Sequence, residues 1–246
     1  MTPQVPPKYS PIRRVTSIVR LGRVPVPHTN EATYVLDGEG RRWVAKREAD
    51  MGCEALLAEA LTWLLARAGG VPVPDGAFCD DPQERAWLSA WMPDAKHWSA
   101  DSADRITNPE EAAAILALDA IVLNEARHGG NLLLVSDARG GSAAVAIDAD
   151  EARIGHPADL KAAGLIPPNP YLLARGFPPP GWRPFARAAA ERFACLGEAE
   201  LAPLVDEACA IAREPARDLV LEVLTARCRA AVSLTESALD LVEARR

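Results

Sequence analysis

The sequence predicts an α+β fold in two lobes. A small antiparallel sheet carrying one helix is expected over residues 1–92, and a larger, mainly helical lobe over residues 93–246. Three observations point there. Strand-like segments surround a single long helix in the first ninety residues, and the chain turns helical after Pro93. The composition, 49% hydrophobic and 25% charged over 246 residues, supplies a sizeable core and excludes a disordered or fibrous chain.

The elements follow in order. Val15 to Val26 is rich in β-branched residues and ends in Pro25 and Pro27; Ala32 to Leu36 and Arg42 to Arg47 flank the hairpin turn Asp37-Gly38-Glu39-Gly40. Two or three antiparallel strands result. From Cys53 to Ala68, Leu56, Ala60, Trp63 and Leu64 recur at helical spacing with no internal Gly or Pro, and Gly69-Gly70 ends the helix. Gly76 to Cys79 and Ala86 to Trp91 are strands around a polar turn at Asp80 to Glu84. Pro109 then opens a helix with Ile115, Leu118, Ile121 and Val122 as its apolar positions. Asn131 to Ser136 and Ala143 to Ile147 form a short buried hairpin. Gly155 to Pro184 holds eight prolines and little periodicity, as functional or mobile connections do. Helices over Phe185–Leu196, Glu200–Arg213 and Ala216–Ala244 complete the chain.

Several function classes are excluded. The longest apolar run, Ala112 to Leu118, is far short of the roughly 18 residues of a spanning helix, so no membrane partner is expected. The N-terminus carries four prolines and no apolar stretch like that of a secretory signal, which places the chain in the cytoplasm. Five scattered cysteines without a CxxC pair indicate reduced thiols rather than a disulfide framework or a zinc site. A net charge of -7 with no basic block argues against direct nucleic-acid binding. Lysines are only four, Lys8, Lys46, Lys96 and Lys161, which singles out Lys46 at the end of an apolar strand.

Chemistry concentrates in Leu123-Asn-Glu-Ala-Arg-His-Gly-Gly-Asn131, followed after the hairpin by Ala146-Ile147-Asp148. Asn131 at the loop exit and Asp148 at the end of the hairpin converge two oxygen ligands on one spot, a set that suits Mg²⁺ held jointly with substrate phosphates. Phosphoryl transfer also needs a strand Lys for the nucleotide phosphates, a helix Glu to orient it and a base beside the metal. Lys46 and Glu59 fit the first two roles.

These residues resemble a known family. NEARHGGNLLL with AID is similar to the N-x-D-R-H-x-x-N and I-D elements of HipA-like serine/threonine kinases, whose R-H-x-x-N is shared with phosphoinositide kinases. WVAK resembles the family's ATP-binding strand, and AEALTWLLARAGGVPVP its helix and following turn, so the resemblance covers about Val15 to Asp150. It implies a protein-kinase-like fold, ATP and Mg²⁺ as cofactors, and transfer of the γ-phosphoryl to a Ser or Thr hydroxyl of a protein, the chain itself included. HipA-like kinases are often toxins of toxin-antitoxin pairs, which adds an antitoxin or regulatory partner to the expectation. The family's catalytic Asp falls five residues before the metal-binding Asn, where this chain has Ala126. A methyl cannot take a proton, and a missing general base costs on the order of 10²- to 10⁴-fold in rate. The chain as written is therefore expected to be catalytically impaired, either by an engineered Asp-to-Ala change or as a natural ATP-binding pseudokinase. A small-molecule kinase is the remaining rival.

Plainer roles are also assigned. Arg127 is expected to pair with a carboxylate and His128 with backbone. Glu54 competes with Glu59 for Lys46, and Asp150 and Glu151 are expected to cap the next segment, with Asp150 a further metal ligand. Thr29 and Asn30 stand where a phosphate loop belongs; Trp91 and Met92 are placed against the adenine.

Overall fold

The structure is a computed structural model and describes residues 11–24, 32–137 and 140–246. Within them, six strands form one sheet: β1 (Arg13–Val15), β2 (Ile18–Arg23), β3 (Ala32–Asp37), β4 (Arg42–Arg47), β5 (Gly76–Cys79) and β6 (Ala86–Ala90), in the order β1-β5-β6-β4-β3-β2. Only the β1–β5 pair is parallel. A three-stranded antiparallel sheet joins β7 (Lys96–His97), β8 (Leu132–Ser136) and β9 (Ser142–Ala146). The helices are α1 (Glu48–Gly69), α2 (Pro109–Val122), α3 (Pro157–Ala163), α4 (Arg183–Ala194), α5 (Glu198–Ala212), α6 (Arg217–Arg229) and α7 (Ala231–Arg245). The class is α+β, as the sequence predicts.

The β3–β4 hairpin closes on Asp37, whose carboxylate accepts from the backbone N–H of Glu39 and Arg41 and from the Trp43 indole. Burial pushes this acid up, but those hydrogen bonds prevail and hold it below the usual carboxylate range. One face of the sheet has its own small core of Val15, Val35, Trp43, Ala45, Ala77 and Leu88. The other face packs on α1, which is buried nearly all round because it lies between the sheet and the helical part. Leu56, Leu57, Leu61 and Leu65 are fully shielded, and each contributes about 1.5–3 kcal/mol by leaving water. Gly69 ends α1 against α4, where a Cβ would stand 2.1 Å from the Phe193 ring, so no larger residue fits. One continuous core runs from α1 through α2, α4, α5 and α6.

Three boundaries differ from the sequence reading. Val15 to Val26 is not one strand: β1 ends at Val15 and β2 starts at Ile18, the two pairing with opposite edges of the hairpin and β5. The expected Ala216–Ala244 helix breaks at Ala230, giving α6 and α7. No Gly or Pro marks that break, so periodicity alone could not reveal it. The Pro-rich stretch contains α3 and a single 3-10 turn, Pro170–Leu172. It is fastened by Arg227, whose buried guanidinium donates to the carbonyls of Ala120 and Ile121 at the end of α2 and of Gly164 and Ile166. A cation at a helix C-terminus is favoured by the partial negative charge there.

Candidate active site

β4 delivers Lys46 toward α1, and its register opposite Ala32 and Trp87 fixes the side on which the ammonium emerges. Glu59 on α1 meets it: Lys46 Nζ donates to Glu59 Oε1 at 2.7 Å. The same ammonium donates to Asp148 Oδ1 and, at 2.9 Å, to Asp150 Oδ2. Glu59 is thereby the partner of Lys46. Glu54 instead lies one and a half turns earlier, beside Cys53 Sγ at 3.2 Å.

The β8–β9 hairpin brings Asn131 and Asp148 to one end. Leu132 pairs with Ala146, so the residues just outside that pair, Asn131 and Ile147, face each other, and Ile147 N–H donates to the Asn131 carbonyl at 3.2 Å. Asp148 follows with φ of +61°, in the left-handed region that a non-glycine residue occupies at a cost. Such backbone is retained where its side chain has a task. Asn131 Nδ2 donates to the Ala126 carbonyl at 2.9 Å, which leaves its Oδ1 without a part in that contact. Ala126 N–H in turn donates to Asn124 Oδ1.

Arg127 holds these pieces together. Its guanidinium forms a two-pronged pair with Asp119 of α2, both contacts at 3.0 Å, and also donates to the carbonyls of Asn131 at 2.7 Å and Ile147 at 2.5 Å. Both members of the pair are essentially inaccessible. The carboxylate expected for Arg127 is Asp119, which the sequence reading left unnamed; an acid in the apolar stretch of α2 was the signal for it, since such a group is buried only when paired. His128 caps the following turn by accepting from Gly130 N–H.

The cluster is electrostatically unbalanced, with one ammonium facing three carboxylates. Burial works against the Lys46 charge, but Glu59, Asp148 and Asp150 outweigh it and hold its pKa above the ordinary value. Burial pushes Glu59 up to about 7; Lys46 opposes this, while Asp148 and Asp150 add to it. Asp148 is also pushed up by burial, yet Lys46 and hydrogen bonding with Asp150 overcome that and hold it at about 2. The two carboxylates move oppositely because one ammonium cannot neutralise all three acids. Glu59 is the acid whose charge is the more disfavoured, its side chain 6% exposed against 17% for Asp148. Because burial raises the Glu59 pKa in the folded chain from an ordinary 4.5 to about 7, its contribution to stability is expected to fall as pH rises through that window. Glu59→Gln is expected to flatten this fall. Thermal melts of both forms between pH 5 and 8 check it, and equal slopes would refute it.

One carboxylate oxygen each from Glu59, Asp148 and Asp150 lies within 4.8 Å of the others, gathered around the Lys46 ammonium that donates to all three. Asp150 therefore faces the cluster instead of capping the next segment. Beside it opens a cavity of about 750 Å³ whose wall includes Ala126, Glu125, His128 and Asp150. Trp91 and Met92 are half-buried at the end of β6, and the Trp91 ring lies on Tyr34 at 5.8 Å and under Arg42 at 4.8 Å. Thr29 and Asn30 lie outside the described residues.

No protein-family model matches the chain, and no curated protein matches it. Among solved structures it is similar to the Helicobacter pylori proinflammatory kinase CtkA, at 10% identity with a TM-score of 0.59, over 96% of this chain and 100% of that one. It is also similar to the Rio2 kinase of Chaetomium thermophilum in its ADP/Mg²⁺-phosphoaspartate complex, at 14% identity and a TM-score of 0.40 over 92% and 73% of the two chains. A putative fructosamine-3-kinase from Thermobifida fusca follows at 17% identity and 0.33, over 93% and 95%. The likeness to CtkA, end to end in both chains, shows a protein-kinase-like fold.

Proposed function

We propose that this chain is a HipA-like, ATP-dependent kinase by descent, acting on a Ser or Thr hydroxyl of a protein, and that Ala126 impairs the transfer step in the chain as it stands. The observation that carries the reading is the Lys46 ammonium held between Glu59 and Asp148, with Asn131 brought to the same hairpin end. In this reading Lys46 binds the nucleotide phosphates and Glu59 keeps it aimed. Asp148, Asp150 and Asn131 offer the oxygens that would hold Mg²⁺, which when bound offsets the phosphate charge. Transfer joins the acceptor oxygen to the γ-phosphorus, breaks the bond to the bridging oxygen and leaves that electron pair on ADP. The acceptor proton then has no carboxylate at position 126 to receive it.

Nucleotide binding is separable from that defect. Calorimetry is expected to show Mg²⁺-dependent ATP binding, weakened roughly ten- to hundredfold by Lys46→Ala through loss of a charged hydrogen bond. Asp148→Ala is expected to abolish the Mg²⁺ dependence. Absence of binding at millimolar ATP would overturn the kinase assignment.

A further inference from the structure

We infer that the acceptor is a basic segment of polypeptide, a Ser or Thr flanked by Lys or Arg, held in the cavity beside residue 126. This deepens the phosphotransferase reading and rests on it. Ala126 lines that cavity, so a hydroxyl bound there stands beside the position where the carboxylate is missing. The wall carries four carboxylates, Glu54 from α1, Glu125 from the loop after α2, and Asp150 and Glu151 from the segment after β9. Against them stand one guanidinium, Arg153, and the imidazoles of His128 and His156. Arg153 offsets little, because it is half exposed and its approach to Glu125 is 4.0 Å, a pair of small worth in water. Asp150 is engaged by Lys46, which leaves Glu54, Glu125 and Glu151 to meet a visiting cation. A concave wall of one sign focuses the field and concentrates opposite charge.

The charge alone does not separate a peptide from a small amine-bearing alcohol, and the volume suits either. The rim decides between them. Tyr171 and Leu172 line the cavity with 73% and 48% of their surface exposed. A small hydroxylated cation is satisfied inside the cavity and has no use for apolar surface outside it. An extended segment covers both, with its basic residues on the carboxylates and its apolar neighbours on the rim.

Fluorescence anisotropy tests this with two labelled decapeptides that share a central Ser, one flanked by Arg and one by Glu, in the presence of ATP and Mg²⁺. The basic peptide is expected to bind with an affinity that falls as salt is raised, and the acidic one not to bind. Glu54→Gln with Glu151→Gln should weaken the basic peptide roughly five- to tenfold, and Tyr171→Ser with Leu172→Ser should weaken it independently. Equal binding of the two peptides, or indifference to both double variants, would overturn the inference. Displacement of the basic peptide by an amino sugar whose own binding ignores the Tyr171 and Leu172 changes would assign the cavity to a small molecule instead. ATP binding is measured in the same samples. If ATP binds and the basic peptide does not, this inference alone fails; if ATP does not bind, the kinase reading fails first.

Discussion

Arg127→Met is expected to destabilise the chain by about 3–5 kcal/mol, the usual cost of stranding one member of a buried ion pair. Asp119 would be left without its partner at 0% exposure. Burial already pushes its pKa up and only Arg127 and Asn124 hold it down, so the stranded acid would fold with a proton. Two backbone carbonyls, of Asn131 and Ile147, would lose their donor as well. At roughly 2–4 °C per kcal/mol for a chain of this size, the melting temperature should fall by on the order of 10 °C. Arg127→Met combined with Asp119→Leu removes both charges, and most of the stability should return, because a buried pair is worth little against a well-packed apolar replacement. Affinity for ATP with Mg²⁺ should not return, since the carbonyl on either side of the site still lacks its clamp. A single variant that melts within about 1 kcal/mol of the parent would show that Arg127 is not the hub. A double variant that recovers nucleotide affinity as well as stability would show that the clamp is dispensable.

The role of Arg127 also marks how far the sequence could be read. Pattern reveals what repeats locally: the turn at Asp37, the α1 helix with its Gly69 stop, and the apolar α2 all lie close to where spacing and punctuation put them. The kink at Gly52, φ +83°, shows why the regular helix was legible only from Cys53. The break at Ala230 is invisible because no breaker residue marks the end of α6. In the site, Lys46 was legible as one of four lysines, at the end of an apolar strand, and Glu59 from its distance to Gly70. That spacing picked Glu59 over Glu54, and the Lys46–Glu59 contact agrees with it. The attachment of Asp150 to Lys46 was not legible as its main role, because it depends on the left-handed turn at Asp148 that swings the next residues back toward the ammonium.

Ala126→Asp is expected to raise phosphotransfer by on the order of 10²- to 10⁴-fold, the worth of a positioned general base. Position 126 is well made for one. Its N–H is held by Asn124 and its carbonyl by Asn131, so its backbone is fixed from both sides, and its side chain lines the cavity where an acceptor hydroxyl would lie. Neighbouring groups do not replace it. Asp150 already accepts from Lys46, and a carboxylate bound to an ammonium is a weak base; Glu125 stands 4.0 Å from the Arg153 guanidinium. The substituted carboxylate need not disturb nucleotide binding, because Lys46, Glu59 and Asp148 are joined to one another and not to residue 126. Incubation of both forms with labelled ATP and Mg²⁺, alone and with cell-lysate protein, measures the effect. Label transfer in the Asp form and none in the chain as it stands supports a kinase lacking only its base. Equal activity in both would move the base elsewhere in the cavity, Asp150 first, which Asp150→Asn would then expose. Silence in both with ATP still bound would favour a pseudokinase that keeps the nucleotide frame for binding alone.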